Sequence, residues 1–211
     1  MIAHPNLKAY YRYETLARIG KDASGNGFTL TNNGGTIGTG KYGNGVVLDG
    51  ASNYLINTDY VNIRPLKDFT LESWLYIEPG NVNIVAPISV GPTSGIIFGY
   101  FSSGAMRFYV RTAAGFKYFN LPAVDVPIQT LTHFAQTYDG INIKLYINGN
   151  FYGQLAQTGN VKYVGTIGLK IGTYNSTVFF KGKLDETRLW HNKAYPESDI
   201  KRMMYNFNPL T

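Results

Sequence analysis

The chain contains no cysteine. This excludes a disulfide framework, a thiolate metal site and a thiol nucleophile. Charge is scarce: 15% of its 211 residues are Asp, Glu, Lys or Arg, against roughly 25% in an ordinary globular chain. No apolar run comes near the ~20 residues of a membrane-spanning helix, so no membrane partner is expected. Like-charge runs are missing as well, and basic residues come singly or in pairs such as Lys201-Arg202. A nucleic-acid-binding surface usually carries a basic stripe or cluster. The net charge of +6, from 19 basic and 13 acidic residues, therefore reads as a solubility term, and no nucleic-acid partner is expected. Charges at Lys8, Arg12 and Glu14 interrupt any apolar core of a signal peptide. A secreted protein after cleavage would look the same.

What the chain does have is turn and strand chemistry. Twenty-four Gly, 17 Tyr and an apolar fraction of 44% describe strands and tight turns rather than a helical bundle. Residues 10–13 read as a short aromatic strand and Phe28 to Thr31 as another. Residues 32–45 carry six glycines and read as a long surface loop. Val46 to Leu48 is a short strand. Phe69 to Ile77 alternates, with Phe69, Leu71, Ser73, Leu75 and Ile77 on one side and Thr70, Glu72, Trp74 and Tyr76 on the other. Ile84 to Val90 and Gly95 to Phe101 are apolar runs, and Met106 to Val110 alternates again. Thr132 to Tyr138, Ile141 to Ile147 and Asn150 to Leu155 are separated by Asp139-Gly140 and Asn148-Gly149, which predicts consecutive antiparallel hairpins. Leu169 to Gly172 and Leu184 to Trp190 add two strands. A helix is predicted only at residues 196–205, where Pro196, Glu197 and Asp199 precede Lys201 and Arg202, the order that suits a helix dipole. With no βαβ rhythm, repeat or internal boundary, the whole of 1–211 is expected to form one antiparallel sandwich.

Several segments then resemble one family. Leu7 to Tyr13, Asp22 to Gly27 and Gly40-Lys41-Tyr42-Gly43-Asn44-Gly45 running on to Asp49-Gly50 are similar to the opening of a laminin-G-like, concanavalin A-like domain. Phe69 to Trp74, then Thr132-His133-Phe134-Ala135-Gln136-Thr137-Tyr138-Asp139-Gly140 with Leu145 to Gly149, and finally Gly182 to Trp190, resemble its later strands. One departure is Leu131, where the family often carries Trp. The resemblance covers roughly residues 7–205. It implies an all-β, concanavalin A-like jelly-roll sandwich of two antiparallel sheets, one of them concave, with a short C-terminal helix.

Catalytic chemistry is not expected. Glucanases of related fold carry Glu-x-Asp-x-x-Glu on one strand, and retaining hydrolysis needs two carboxylates about 5 Å apart. This sequence has no such motif, and its one adjacent pair, Asp185-Glu186, is expected to point to opposite faces of a strand. It has no Gly-x-Ser-x-Gly elbow either. His133 reads as a hydrogen-bonded sheet residue rather than a catalytic base.

A structural Ca²⁺ is expected instead. Asp22 and Asn26 in a Gly-rich turn, with Asp185 on the closing strand, offer the oxygen ligands that Ca²⁺ takes. Similar domains often hold such an ion between those two places. The alternative is that Asp22 and Asn26 form a turn and Asp185 is simply hydrogen-bonded. Glu72, Tyr76, Arg107, Tyr109 and Arg111 are the candidate ligand-binding residues, since aromatic rings offer an apolar face with a polar tip to a sugar. Trp74 reads as core.

The function expected is a non-catalytic binding or structural module that recognises cell-surface glycan, with a glycan or a capsid or tail protein surface as partner. A virion setting is expected: a phage capsid decoration, head fibre or tail part, in which a homo-oligomer would be usual. The alternatives are an extracellular setting, as a secreted bacterial carbohydrate-binding or adhesin domain, and a glucanase-type enzyme.

Overall fold

A computed structural model describes residues 4–81, 85–91, 95–166 and 168–205. Its strands, in chain order, are β1 (Leu7–Tyr11), β2 (Thr31–Asn33), β3 (Thr36–Thr39), β4 (Asn44–Asp49), β5 (Tyr54–Asn57), β6 (Phe69–Ile77), β7 (Ile88–Val90), β8 (Ile96–Ser102), β9 (Ala105–Thr112), β10 (Gly115–Leu121), β11 (Thr132–Tyr138), β12 (Asn142–Ile147), β13 (Asn150–Ala156), β14 (Leu169–Ile171) and β15 (Lys181–His191). One helix, α1 (Glu197–Met204), follows. The first sheet runs β13-β12-β11-β6-β15-β4-β3, with β1 also paired to β15. The second runs β10-β9-β8-β7-β14-β5-β2. Pairings between these strands are antiparallel. The expected all-β sandwich with one short C-terminal helix is therefore the fold. Ile84, the start of the apolar run 84–90, lies outside the described residues.

The main core lies between the sheets. Leu71, Leu75, Phe134, Leu184 and Leu189 of the first sheet meet Ile88, Phe98, Phe108, Val110 and Ile171 of the second. Phe108 spans the interface, with its ring 5.3 Å from that of Phe98 and 6.0 Å from that of Phe134. A second cluster lies on the outer side of the first sheet, where Tyr10, Ala135, Tyr146 and Trp190 receive Tyr195, Ile200 and Met203. Helix α1 is thus a cover. Lys201 pairs with Glu197 one turn earlier at 2.6 Å, and Ile200, Met203 and Met204 face down. Two carbonyls of its last turn, which no helical N–H can reach, are met from the sheet and a loop: Met203 O by Arg188 Nη1 at 3.2 Å and Met204 O by the Tyr42 hydroxyl at 2.9 Å.

Two expectations change. The glycine-rich segment 32–45 is not a loop throughout, because it contains β3 and parts of β2 and β4. Strand pairing uses backbone groups alone, so a sheet edge needs no apolar pattern to announce it. Strand β15 does not keep one parity. Asp185 opposes Trp74 and Arg188 opposes Glu72, so two residues stand against Ser73. This is a β-bulge, with Glu186 at φ +52°. The bulge overturns the opposite-faces expectation for Asp185-Glu186. Both side chains are buried, and Glu186 reaches Arg188 and Tyr10 on the α1 side.

Candidate functional site

Strand β9 alternates strictly. Met106, Phe108, Val110 and Thr112 are buried, while Arg107, Tyr109 and Arg111 are half-buried on the outer face of the second sheet. The register with β10 sets Arg107 opposite Asn120, Tyr109 opposite Tyr118 and Arg111 opposite Phe116. A two-residue connection between Thr112 and Gly115 holds that register. On the other flank, β8 is bulged between Ile97 and Tyr100, which stand opposite Tyr109 and Arg107. Gly99 lies at φ +80° in this bulge, and a Cβ there would collide with Met106 and Pro87. Glycine therefore permits the extra residue that turns Tyr100 outward.

The result is a continuous aromatic face with cations set into it. The Tyr109 ring lies 5.1 Å from Tyr118, 5.3 Å from Tyr100 and 6.1 Å from Phe116. Tyr174 stands edge-on to Tyr100 at 5.9 Å. The Arg107 guanidinium covers the Tyr118 ring at 4.6 Å and donates to Asn120 Oδ1 at 3.3 Å. A cleft of about 210 Å³ opens here, lined by Gly95, Ile97, Tyr100, Tyr109, Arg111, Phe116 and Tyr174. Burial raises the Tyr100 and Tyr109 phenols above their ordinary value, so at neutral pH both stay protonated and can donate or accept a hydrogen bond. Phe116 remains 64% exposed, an apolar ring turned to solvent.

The other expected ligand residues do not join this face. Glu72 has no exposed surface. It accepts from His133 Nε2 at 3.1 Å, Arg188 Nη1 at 3.3 Å and Trp190 Nε1 at 3.3 Å, beneath α1. Burial pushes its carboxyl up, but the His133 bond and the Arg188 charge outweigh this and hold it below the usual range. Tyr76 lies farther along β6 in the first sheet, with Lys183 Nζ 5.0 Å from its ring centroid. Trp74 is buried, as expected, under Lys41 at 4.4 Å. His133 is a buried, hydrogen-bonded sheet residue.

The three residues expected to share Ca²⁺ each have their own partners. Asp22 accepts from the N–H groups of Tyr10, Ser24 and Phe28 and from the Ser24 hydroxyl. The Asn26 amide donates to Leu7 O and Lys8 O. Asp185 accepts from the N–H groups of Lys41, Tyr42 and Glu186. Backbone N–H donors already occupy oxygens of both carboxylates, which a Ca²⁺ would need as ligands. Among the described residues no cluster of three His, Asp or Glu is placed to hold a metal. The donor set does not fit the ion.

Alternation alone sets Arg107, Tyr109 and Arg111 on one side of β9, and the structure adds Tyr100, Phe116, Tyr118 and Tyr174 to that face, which the sequence did not single out. Strand β10 reads Phe-Lys-Tyr-Phe-Asn, aromatic on both faces, so no alternation marks it. The available signal was Gly115 closing a short turn back onto β9.

Two antiparallel sheets, with a half-open aromatic face on one and a helix closing the other, define a jelly-roll domain of the lectin type. The model of the concanavalin A-like lectin/glucanases superfamily matches residues 49–201, and the chain belongs to that superfamily. No curated protein sequence matches it. Among solved structures, domain 4 of AbnA, a GH43 extracellular arabinanase from Geobacillus stearothermophilus in complex with arabinotriose, is 19% identical with a TM-score of 0.64, over 94% of this chain and 98% of that one. The binding domain of paraclostridial mosquitocidal protein 1 is 19% identical with a TM-score of 0.76, over 98% of this chain and 53% of that one. The receptor-binding domain of botulinum neurotoxin C/D mosaic serotype is 12% identical with a TM-score of 0.75, over 97% and 52%. The chain thus spans about half the length of these toxin domains.

Proposed function

We propose that this protein is a non-catalytic carbohydrate-binding module whose binding surface is the outer face of β8, β9 and β10. The observation that carries the reading is the group of Tyr100, Tyr109, Tyr118 and Phe116 gathered beside a cleft that Arg111 lines. Sugar rings carry axial C–H groups that pack on aromatic faces, while phenol and guanidinium groups hydrogen-bond the hydroxyls. The complex of the arabinanase domain with arabinotriose supports sugar as ligand, and the toxin neighbours support binding as the task of the fold.

The cleft lining contains no carboxylate, whereas retaining hydrolysis needs two about 5 Å apart. Glu72, Asp185 and Glu186 are fully or almost fully buried and have no access to a polysaccharide. In the virion setting expected from the sequence, the face would turn toward the host surface, and the domain would be found by mass spectrometry in purified particles.

The test is binding to a polysaccharide panel by affinity electrophoresis and calorimetry. Tyr109→Ala and Phe116→Ala should each weaken the best ligand at least about tenfold, about 1.4 kcal/mol, with melting temperatures that show the variants folded. Binding that survives both substitutions in folded protein would move the site elsewhere.

A further inference from the structure

The cleft carries a charge that the protein itself leaves unanswered. Arg107 is engaged, by Asn120 and by the Tyr118 ring. Arg111 lies on the same face but makes no ion pair, side-chain hydrogen bond or ring contact among the described residues. No acidic residue occurs anywhere between Glu78 and Asp125, the stretch that supplies β8, β9 and β10 entire. The same three strands contribute Arg107, Arg111 and Lys117. Some cations elsewhere are answered by acids: Arg188 is paired with Glu72 and Glu186, Lys144 with Asp139 and Lys201 with Glu197.

We infer that the module selects an acidic saccharide, one whose ring lies on Tyr109, Tyr100 and Phe116 while its carboxylate or sulfate pairs with the Arg111 guanidinium. The inference rests on the glycan-binding reading above and adds the ligand class. A guanidinium offers a planar fork of N–H donors that matches such an oxyanion. The guanidinium is half-buried among these cleft-lining rings, where a lower local dielectric strengthens the pair. A neutral sugar offers that cation only hydroxyl oxygens, so the site distinguishes acidic from neutral rings by the added strength of the charge-assisted Arg111 bond. At about 210 Å³ the cleft is smaller than the roughly 300 Å³ at which drug-sized pockets begin, which suits one charged residue of a chain rather than a long oligosaccharide.

The experiment uses matched pairs on the same backbone: polygalacturonate against its carboxyl-reduced form, and dextran sulfate against dextran. Affinity is measured by calorimetry for the wild type, Arg111→Gln and Tyr109→Ala, each at low and high salt, with melting temperatures as the control for folding. The expected result is preference for at least one acidic member over its neutral partner, lost about tenfold or more in Arg111→Gln, the range of a hydrogen bond to a charged group. Which acidic member is preferred assigns the anion as carboxylate or sulfate. Equal binding of acidic and neutral partners, weakened by Tyr109→Ala and untouched by Arg111→Gln, overturns the inference and leaves the glycan reading standing. Acidic binding that high salt abolishes and neither substitution changes is attraction to net charge alone, and also overturns it. Failure to bind any of the four polymers removes the acidic class, while neutral glycans on the wider panel still test the module itself.

Discussion

Asp185 lies with no exposed surface beneath the loop of Gly40, Lys41 and Tyr42. Burial pushes its carboxyl up to about 7; the Tyr42 N–H opposes this, and the neighbouring Glu186 charge adds to it. An unfolded Asp titrates near 4, so between about 4 and about 7 the folded state holds more protons than the unfolded one. Stability from this group therefore falls as pH rises through that window, by up to about 1.4 kcal/mol per pH unit. His191 acts in the opposite sense: burial lowers it to about 4, so it favours the fold increasingly as pH climbs toward its unfolded value. The informative quantity is thus the difference between wild type and Asp185→Asn. The variant should gain on the wild type steadily from about pH 4 to pH 7 in urea titrations, and a flat difference would remove Asp185 as the cause. Chelator should leave the melting temperature unchanged, because N–H donors already hold this carboxylate. A chelator-induced drop that Asp185→Asn abolishes would restore the calcium expectation.

At the scale of elements, the turn between β12 and β13 shows how a dipeptide sets a register. Asn148 and Gly149 sit at φ +49° and +77°, the left-handed pair that a two-residue hairpin connection requires. Asn148 also accepts the His133 N–H on its side chain at 3.1 Å, tying the turn to β11. A Cβ on Gly149 would come within 2.8 Å of Lys201 Cγ in α1. Gly149→Val should therefore cost about 1 kcal/mol or more, read as a lower denaturation midpoint. An unchanged midpoint would place the strain elsewhere. The bounds of β6 follow from its alternation and those of β11 from the Asp139-Gly140 turn that ends it. Strands β3, β5 and β10 did not emerge that way. β3 and β10 are edges, where pairing rests on the backbone and one neighbour, and β5 is only four residues long.

At the scale of the molecule, the two outer faces differ on either side of one core. The face of the first sheet is closed by α1 over Glu72, His133, Glu186 and Arg188. Removing one member of a buried ion pair leaves its partner charged and alone, which costs about 3–5 kcal/mol. Arg188→Met should thus lower the urea midpoint strongly, since both Glu72 and Glu186 lose the Arg188 charge. The proposed binding face lies on the other sheet and shares no partner with this network, so effects at the two places should be independent. Glycan affinity of folded Arg188→Met, measured below its transition, should stay within about twofold of wild type. A larger loss would mean that the buried network supports the binding face through the core.

The sequence by itself determined the class. Sparse charge, abundant Gly and Tyr, period-two alternation and turn dipeptides all act locally, so they are legible residue by residue, and they led to the antiparallel sandwich and its terminal helix, while the family resemblance implied the jelly roll. It also placed Arg107, Tyr109 and Arg111 on one side of β9. Only the tertiary structure decided which sheet faces stay open. Glu72 and Arg107 both occupy outward positions on alternating strands, and nothing local distinguishes them. α1, more than 100 residues after Glu72 in the chain, folds back over the first sheet, while the outer face of β9 and β10 in the second stays partly open. Burial is a property of what packs against a surface, and that partner lies far away in sequence.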